Sequence, residues 1–91
     1  MPYQLKYTNE AKDALPTLPG FYRQQIRRAI ESLADNPRPG IAELTKQPNR
    51  FKIKFDRWRL IYDVDDEDEV VRILRIRLKR GPETYQGLDA L

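Results

Sequence analysis

Residues 51–64, FKIKFDRWRLIYDV, and residues 70–79, VVRILRIRLK, decide the fold of this 91-residue chain. In the first stretch, apolar and polar side chains alternate with a period of two, which is typical of strands that bury one face. Lys52 and Lys54 therefore point away from the core. A tight turn in the middle of this stretch brings Arg59, on the following strand, close to Lys54.

The alternation continues through the second and third of these strands. Trp58, Leu60, Tyr62 and Val64 form one apolar set. In the third strand, over residues 70–78, alternation predicts that Val70, Arg72, Leu74, Ile76 and Leu78 share one face and that Val71, Ile73, Arg75, Arg77 and Lys79 share the other. The acidic residues 65–69 lie between the two strands, and their mutual repulsion favours a solvated hairpin loop.

The first half of the chain predicts one strand and two helices. Residues 3–7 alternate, and Thr8 or Asn9 is placed to cap a short helix. A second helix begins near Phe21 and ends before Asn36-Pro37. The order is β-α-α-β-β-β, with an optional helix over residues 84–91. We expect a single α+β domain, residues 1–91, in which the N-terminal strand and the helical hairpin pack on a mostly antiparallel sheet of three to four strands.

Composition excludes several classes of chemistry. The chain has no cysteine and no histidine, which rules out disulfides, thiolate or imidazole metal sites and histidine acid–base catalysis. We expect no metal and no cofactor. No apolar run approaches the roughly 18 residues of a membrane span, and no signal peptide follows Met1. The expected location is the cytoplasm, with no membrane partner.

Positive charge is concentrated in two blocks on either side of the acidic loop. Residues 46–62 hold six Lys or Arg and one acidic residue, and residues 70–91 hold five Lys or Arg and two acidic residues. Fixed cations stabilise the extra negative charge of a phosphodiester transition state. A lysine among other cations also releases its proton more easily, which would let it act as a base without histidine. These blocks indicate a surface for a polyanion such as RNA.

The same residues have simpler interpretations. Alternating Lys and Arg are typical of the solvated face of a half-buried sheet. Tyr85 follows a Gly-Pro break, and it either stacks on a base or packs the end of the chain onto the sheet. A module that binds RNA through a cationic sheet and never cuts it fits the charge pattern as well.

Two motifs and their order resemble the RelE/ParE toxin superfamily. The first is Phe51-Lys52-Ile53-Lys54 followed by Trp58-Arg59-Leu60-Ile61-Tyr62, and the second is the basic closing strand, residues 73–80, followed by Tyr85. The resemblance covers nearly the whole chain. It implies a toxin of a type II toxin–antitoxin pair with a compact fold like that of microbial ribonucleases. The RelE branch cuts messenger RNA in the ribosomal A site, whereas the ParE branch poisons DNA gyrase.

For the RelE branch, the resemblance implies an endoribonuclease that needs no metal and uses the RNA 2′-hydroxyl as nucleophile. Carried over residue by residue, the catalytic set is Lys52, Lys54, Arg59, Arg80 and Tyr85. Arg77 or Lys79 is the alternative to Arg80, whose spacing to Tyr85 is one residue short. The nearby cations Arg57, Arg75, Arg77 and Lys79 are expected to bind RNA. The implied partners are a cognate antitoxin, the ribosome with its mRNA, and operator DNA only through the antitoxin. Because Lys54 and Arg59 point off the core face, we expect their replacement to leave the fold intact.

Overall fold

The computed structural model describes residues 2–80, and these form two helices on one face of a five-stranded sheet. The strands are β1 (Gln4–Tyr7), β2 (Glu43–Leu44), β3 (Arg50–Phe55), β4 (Trp58–Asp65) and β5 (Val70–Leu78). The helices are α1 (Asn9–Ala14) and α2 (Gly20–Leu33), joined through a 3₁₀ turn at Leu15–Thr17. The α+β class and the order of the long elements are confirmed. The optional helix over residues 84–91 lies outside the described residues.

The sheet is mixed, with the spatial order β1-β5-β4-β3-β2. β1 lies parallel to β5, and every other neighbouring pair is antiparallel. The sequence predicted three to four strands. The fifth strand, β2, has only two residues, Glu43 and Leu44, and so short a segment shows no alternation for sequence analysis to detect. It nevertheless places Glu43 opposite Lys52 of β3.

Both helices form where the sequence predicts them, α1 after its N-cap and α2 along its line of apolar residues. The Thr8 hydroxyl accepts a hydrogen bond from the Ala11 N–H at 3.1 Å and caps α1. In α2, Ile26, Ile30 and Leu33 recur at helical spacing and are fully buried. They pack against the inner faces of β3, β4 and β5, which supply most of the core: Phe51, Ile53, Phe55, Leu60, Tyr62, Val64, Val71, Ile73 and Ile76.

The face assignment predicted for β5 holds on each side of a bulge but fails across it, because the bulge shifts the alternation by one residue. Ile61 is opposite Arg75 and Tyr62 is opposite Ile73, so Leu74 is the extra residue. Val71 and Ile73 face the helices before the bulge, and Ile76 faces them after it. The bulge thereby moves Ile76 to the core face and keeps Arg75 and Arg77 on the far face.

The acidic loop is exposed, as predicted, but it is also tied to the rest of the molecule. Arg38 donates two hydrogen bonds to the Asp66 carboxylate, at 3.0 and 2.8 Å, and the Tyr3 hydroxyl donates a third at 2.6 Å. These hydrogen bonds, first that of Arg38 and then that of Tyr3, lower the pKa of Asp66 below its ordinary value. The contact joins the N terminus, the segment after α2 and the β4–β5 loop.

Tyr62 gives a test of the core by titration. Its side chain is fully buried, and its hydroxyl donates a hydrogen bond to the Pro37 carbonyl at 2.8 Å. Burial raises the pKa of Tyr62 from 10.0 to about 12. Because the folded-state pKa is the higher one, this contribution to stability is complete below pH 10 and is lost as the pH rises toward 12.

We therefore expect Tyr62→Phe to cost about 1 kcal/mol at neutral pH, through the lost hydrogen bond. The difference in unfolding free energy between wild type and Tyr62→Phe should shrink from pH 10 to pH 12. Urea unfolding across this range measures it. A difference that stays constant up to pH 12 would contradict the titration argument.

None of the helices formed by residues 2–80 is both long enough and apolar enough to pass through a membrane.

Candidate functional site

The far face of the sheet, opposite the helices, brings the strand cations together in rows. Lys54 of β3 lies opposite Arg59 of β4, and Arg59 lies opposite Arg77 of β5. We call these three residues the cationic row. Neighbouring strands are about 4.8 Å apart, so the backbones that carry the three cations span two strand spacings, about 10 Å. Lys52 and Arg75 lie in the adjacent row, on either side of Ile61.

The two strand lysines meet a carboxylate that sequence analysis did not select. Glu43 Oε2 lies 3.4 Å from Lys54 Nζ, and both side chains are about half exposed. Glu43 is also the cross-strand partner of Lys52. Lys54 is therefore the cationic member of an ion pair with Glu43. No sequence signal pointed to Glu43, because it belongs to the two-residue strand β2.

Arg59 lies on the predicted face but is buried, with 8% of its surface exposed. Its Nη1 donates to the carbonyl oxygens of Asp56 at 2.8 Å and Trp58 at 2.9 Å. Asp56 has a positive φ of 58° in the turn between β3 and β4. Arg59 therefore holds this turn, which corrects our expectation that its replacement leaves the fold intact.

The remaining hydrogen-bonding capacity of Arg59 is what makes it a candidate for chemistry. Its Nε is buried and has no hydrogen-bond partner among the residues that the structure describes. A buried donor without a partner is uncommon and is often found at functional sites. Nη1 of Arg59 is fixed on the turn, and Arg59 lies between Lys54 and Arg77 in the cationic row.

Arg75 and Arg77 share a second carboxylate, Glu10 of α1. Arg75 Nε is hydrogen-bonded to Glu10 Oε2, and Arg75 Nη2 lies 3.0 Å from Glu10 Oε1. Arg77 Nη2 lies 3.9 Å from Glu10 Oε1. The Arg75 side chain is 8% exposed, whereas that of Arg77 is 48% exposed. Of the two, Arg77 is the cation that a ligand on this face can reach directly.

The other predicted cations lie at the same end of the sheet as the β3–β4 turn. Arg57 is exposed in that turn, and its carbonyl accepts a hydrogen bond from the Lys79 N–H at 2.8 Å. Lys79 and Arg80 are exposed and follow β5 directly. The structure thus places Lys52, Lys54, Arg57, Arg59, Arg77 and Lys79 on or beside one surface. Tyr85 lies outside the described residues.

Two carboxylates flank the cationic row. Glu43 lies on the β2 side of the cationic row and Glu10 on the β5 side. Within residues 2–80, no group of three or more acidic side chains is arranged to hold a metal ion. Two isolated carboxylates at the ends of a row of cations suit hydrogen bonding and proton transfer around a bound phosphodiester.

Comparison with known proteins shows that this chain is similar to toxins of type II toxin–antitoxin systems. Residues 5–81 match the family described as ParE toxin of type II toxin–antitoxin system, parDE. The chain is 28% identical over 87 residues to the mRNA interferase toxin RelE of Escherichia coli strain K12, covering 93% of this chain and 92% of that protein.

Solved structures give the same relation. A variant of the E. coli toxin RelE in the free state has a TM-score of 0.79 and 28% identity, over 93% of this chain and 92% of that chain. The toxin in the intact E. coli RelBE toxin–antitoxin complex has a TM-score of 0.77 and 26% identity, over 87% of this chain and 99% of that chain.

Proposed function

Because this chain belongs to the ParE toxin family of type II toxin–antitoxin systems, we propose that it is an endoribonuclease that cuts messenger RNA on the ribosome. It is a RelE-like toxin within the RelE/ParE superfamily. The observation that carries the proposal is the register of β3 and β4, which sets Lys54 opposite Arg59 and leaves a buried donor on Arg59 beside Lys54. A fixed cation and a preorganised donor together suit a phosphodiester transition state.

The proposed reaction is transphosphorylation within the RNA. The 2′-oxygen of one nucleotide attacks the adjacent phosphorus, and the bond from phosphorus to the 5′-oxygen of the next nucleotide breaks. The products are a 2′,3′-cyclic phosphate and a 5′-hydroxyl. Lys54, with Lys52 beside it, lowers the cost of forming negative charge on the 2′-oxygen, and Arg59 holds the pentacoordinate phosphorane. No metal ion or cofactor takes part.

The proton from the 2′-hydroxyl needs an acceptor, and Glu43 is the carboxylate best placed to accept it. Its Oε2 lies 3.4 Å from Lys54 Nζ, and its side chain is open to solvent. A carboxylate beside the attacking hydroxyl acts as a general base. Lys54 then serves as the neighbouring cation. In this division of roles the proton goes to Glu43 rather than to a lysine among the cations.

The leaving 5′-oxygen and the base next to it require groups at the end of β5. In the proposal Arg80 donates a hydrogen bond to the leaving 5′-oxygen, with Lys79 or Arg77 as alternatives, and this oxygen takes up a proton from water to give the 5′-hydroxyl. Tyr85 stacks on a base and helps to splay the RNA into line for attack. Arg57 and Lys79, which are exposed next to the turn, contact flanking phosphates.

Replacement of Glu43 by glutamine is expected to slow RNA cleavage by roughly 10²-fold, because the amide cannot accept the 2′-hydroxyl proton. Cleavage rates of the variant and the wild type at neutral pH measure the effect. Glu31→Gln, an equal charge change on the exposed surface of α2, is the matched control. Equal rates for Glu43→Gln and wild type would rule out Glu43 as the base.

The proposed partners follow from the relatives. RelE of E. coli has been solved in a toxin–antitoxin complex, RelBE, and an archaeal RelE–RelB complex from Pyrococcus horikoshii has the same fold, with a TM-score of 0.72. We extend this to a cognate antitoxin for the present chain, which in turn carries any contact with operator DNA. The ribosome and its mRNA are the target in the cytoplasm.

A ParE-like gyrase inhibitor is the second candidate function. One observation favours it, namely that the matching family model is that of the ParE toxins. Such a toxin needs no cationic row for chemistry. Retention of Lys52, Lys54 and Arg59 on one face supports the nuclease instead. An RNA-binding module without chemistry would retain the same cations but leave RNA intact.

The chemistry is tested by analysing the ends of the cleaved RNA. We expect a 2′,3′-cyclic phosphate on the upstream fragment and a free 5′-hydroxyl, which polynucleotide kinase labels directly, on the downstream fragment. An RNA with 2′-O-methyl groups at every position should not be cut. Fragments with 5′-phosphates, or cleavage of the methylated RNA, would contradict attack by the 2′-oxygen.

A further inference from the structure

The start of α1 is attached to β5 at the bulge. The Thr8 N–H donates to the Ile73 carbonyl at 2.9 Å, and the Thr8 hydroxyl donates to the Leu74 carbonyl at 2.7 Å. Leu74 is the extra residue of the bulge, where the ladder of strand hydrogen bonds is interrupted. Two hydrogen bonds therefore fix the first turn of α1 against β5 and hold Glu10 beside the cationic row.

Glu10 makes two unequal contacts. Its carboxylate meets Nε and Nη2 of Arg75 in the two-pronged geometry of an arginine–carboxylate pair, and the Arg75 side chain is buried. Its contact with Arg77 is longer, 3.9 Å, and both of those side chains are more than a third exposed. Arg75 thus anchors Glu10, while the contact with Arg77 is open to competition from another anion.

Arginine binds carboxylate and phosphate in the same way. Arg77 is also the direct cross-strand neighbour of Arg59, which the proposed function places on the phosphorane. A phosphate next to the scissile one, on the β5 side, would therefore meet Arg77 at the position where the Glu10 carboxylate now lies.

We infer that Arg77 is the contact for an RNA phosphate adjacent to the scissile phosphate, and that Glu10, positioned by Arg75, competes with this phosphate in the free protein. The inference rests on the proposed function, because it requires RNA on this face. Glu10 then weakens RNA binding, and the RNA phosphate displaces its contact with Arg77 but leaves its contacts with Arg75.

The test is the affinity for an uncleavable RNA oligomer with 2′-O-methyl groups, measured by fluorescence anisotropy over a series of salt concentrations. Glu10→Gln keeps the side-chain shape and an acceptor for Arg75 but removes the charge. We expect it to bind about threefold to fivefold more tightly, on the scale of an exposed ion pair. The salt dependence of Arg77→Gln should become shallower than that of the wild type by about 0.7 in log–log slope, the value of one lost phosphate contact to a single strand.

Matched controls separate this effect from a change in net charge or in stability. Glu67→Gln makes the same charge change in the exposed β4–β5 loop and should leave binding nearly unchanged. Arg77→Gln should weaken binding and abolish the gain of Glu10→Gln in the double variant. Arg72→Gln, exposed on the same strand and face, should do neither. Arg77 is half exposed, so we expect Arg77→Gln to fold even if Glu10→Gln is destabilised. Thermal unfolding measures the stability of each variant.

The outcomes distinguish the inference from the proposed function. If Glu10→Gln binds no better than Glu67→Gln, or if Arg77→Gln binds like Arg72→Gln, the inference is wrong. The nuclease proposal then stands as long as the wild type binds the oligomer and cuts unmodified mRNA. If the wild type neither binds nor cuts RNA, both are wrong. If Glu10 has only a structural role, Glu10→Gln should lower the unfolding temperature without any gain in affinity for the RNA oligomer.

Discussion

Lys54→Ala is expected to reduce mRNA cleavage by roughly 10²–10³-fold, the range typical for loss of one group that stabilises charge developing in the transition state. Lys54 Nζ is the cation next to Glu43 and lies in the row with Arg59 and Arg77. Its loss removes the charge that stabilises the attacking 2′-oxygen and also the ion pair that orients Glu43. Initial rates of cleavage of a ribosome-bound message measure the effect.

The fold should not change in Lys54→Ala, because the side chain is exposed on the far face of the sheet. Surface substitutions of this kind stay within about 0.5 kcal/mol in stability. Lys46→Ala removes an equal charge from an exposed position in the segment before β3 and should cut at close to the wild-type rate. Equal rates for Lys54→Ala and wild type would show that Lys54 has no part in the chemistry.

Arg59→Ala is expected to affect both cleavage and stability. Loss of a preorganised donor to the phosphorane should cost about 10²–10³-fold in rate. The carbonyls of Asp56 and Trp58 lose their donor at the same time, which should lower the unfolding free energy by about 1–3 kcal/mol. Chemical denaturation measures the second effect, and cleavage rates well below the unfolding midpoint measure the first.

Two further variants separate the two roles of Arg59. Arg59→Lys keeps the positive charge and a donor for the two carbonyls that Nη1 contacts but has no Nε–H, so it should recover stability more than rate. Arg72→Ala removes an arginine from the same face, next to β1, and should change neither quantity much. A stable Arg59→Ala variant that cuts at the wild-type rate would refute the assignment of Arg59 to the phosphorane.

The β3–β4 hairpin could be predicted from sequence because its signal is local. Alternation assigns Phe51 and Ile53 to the core and Lys52 and Lys54 to the far face, and a short turn then fixes the register. The pairing of Lys54 with Arg59 follows from these facts and is confirmed. The order of the long elements, predicted from the residue patterns, and the resemblance to RelE and ParE toxins are confirmed too.

The parts that could not be predicted depend on contacts between distant segments. The bulge at Leu74 interrupts the alternation of β5, and no sequence pattern marks where it occurs. Both flanking carboxylates also escaped prediction. Glu43 reaches the site through a two-residue strand, and Glu10 reaches it because Thr8 is hydrogen-bonded to β5. Arg59 is held against the carbonyls of its own turn. Strand alternation predicts which face a side chain lies on but not a contact of this kind.

The most direct test of the central claim is the integrity of mRNA in a purified translation system, with and without ribosomes. We expect the wild-type toxin to cut mRNA when ribosomes are present and Lys54→Ala to leave it intact. A parallel reaction with DNA gyrase and plasmid DNA covers the ParE alternative. Intact mRNA both with and without ribosomes, together with a trapped gyrase–DNA adduct in the parallel reaction, would show that the toxin acts on gyrase instead of mRNA.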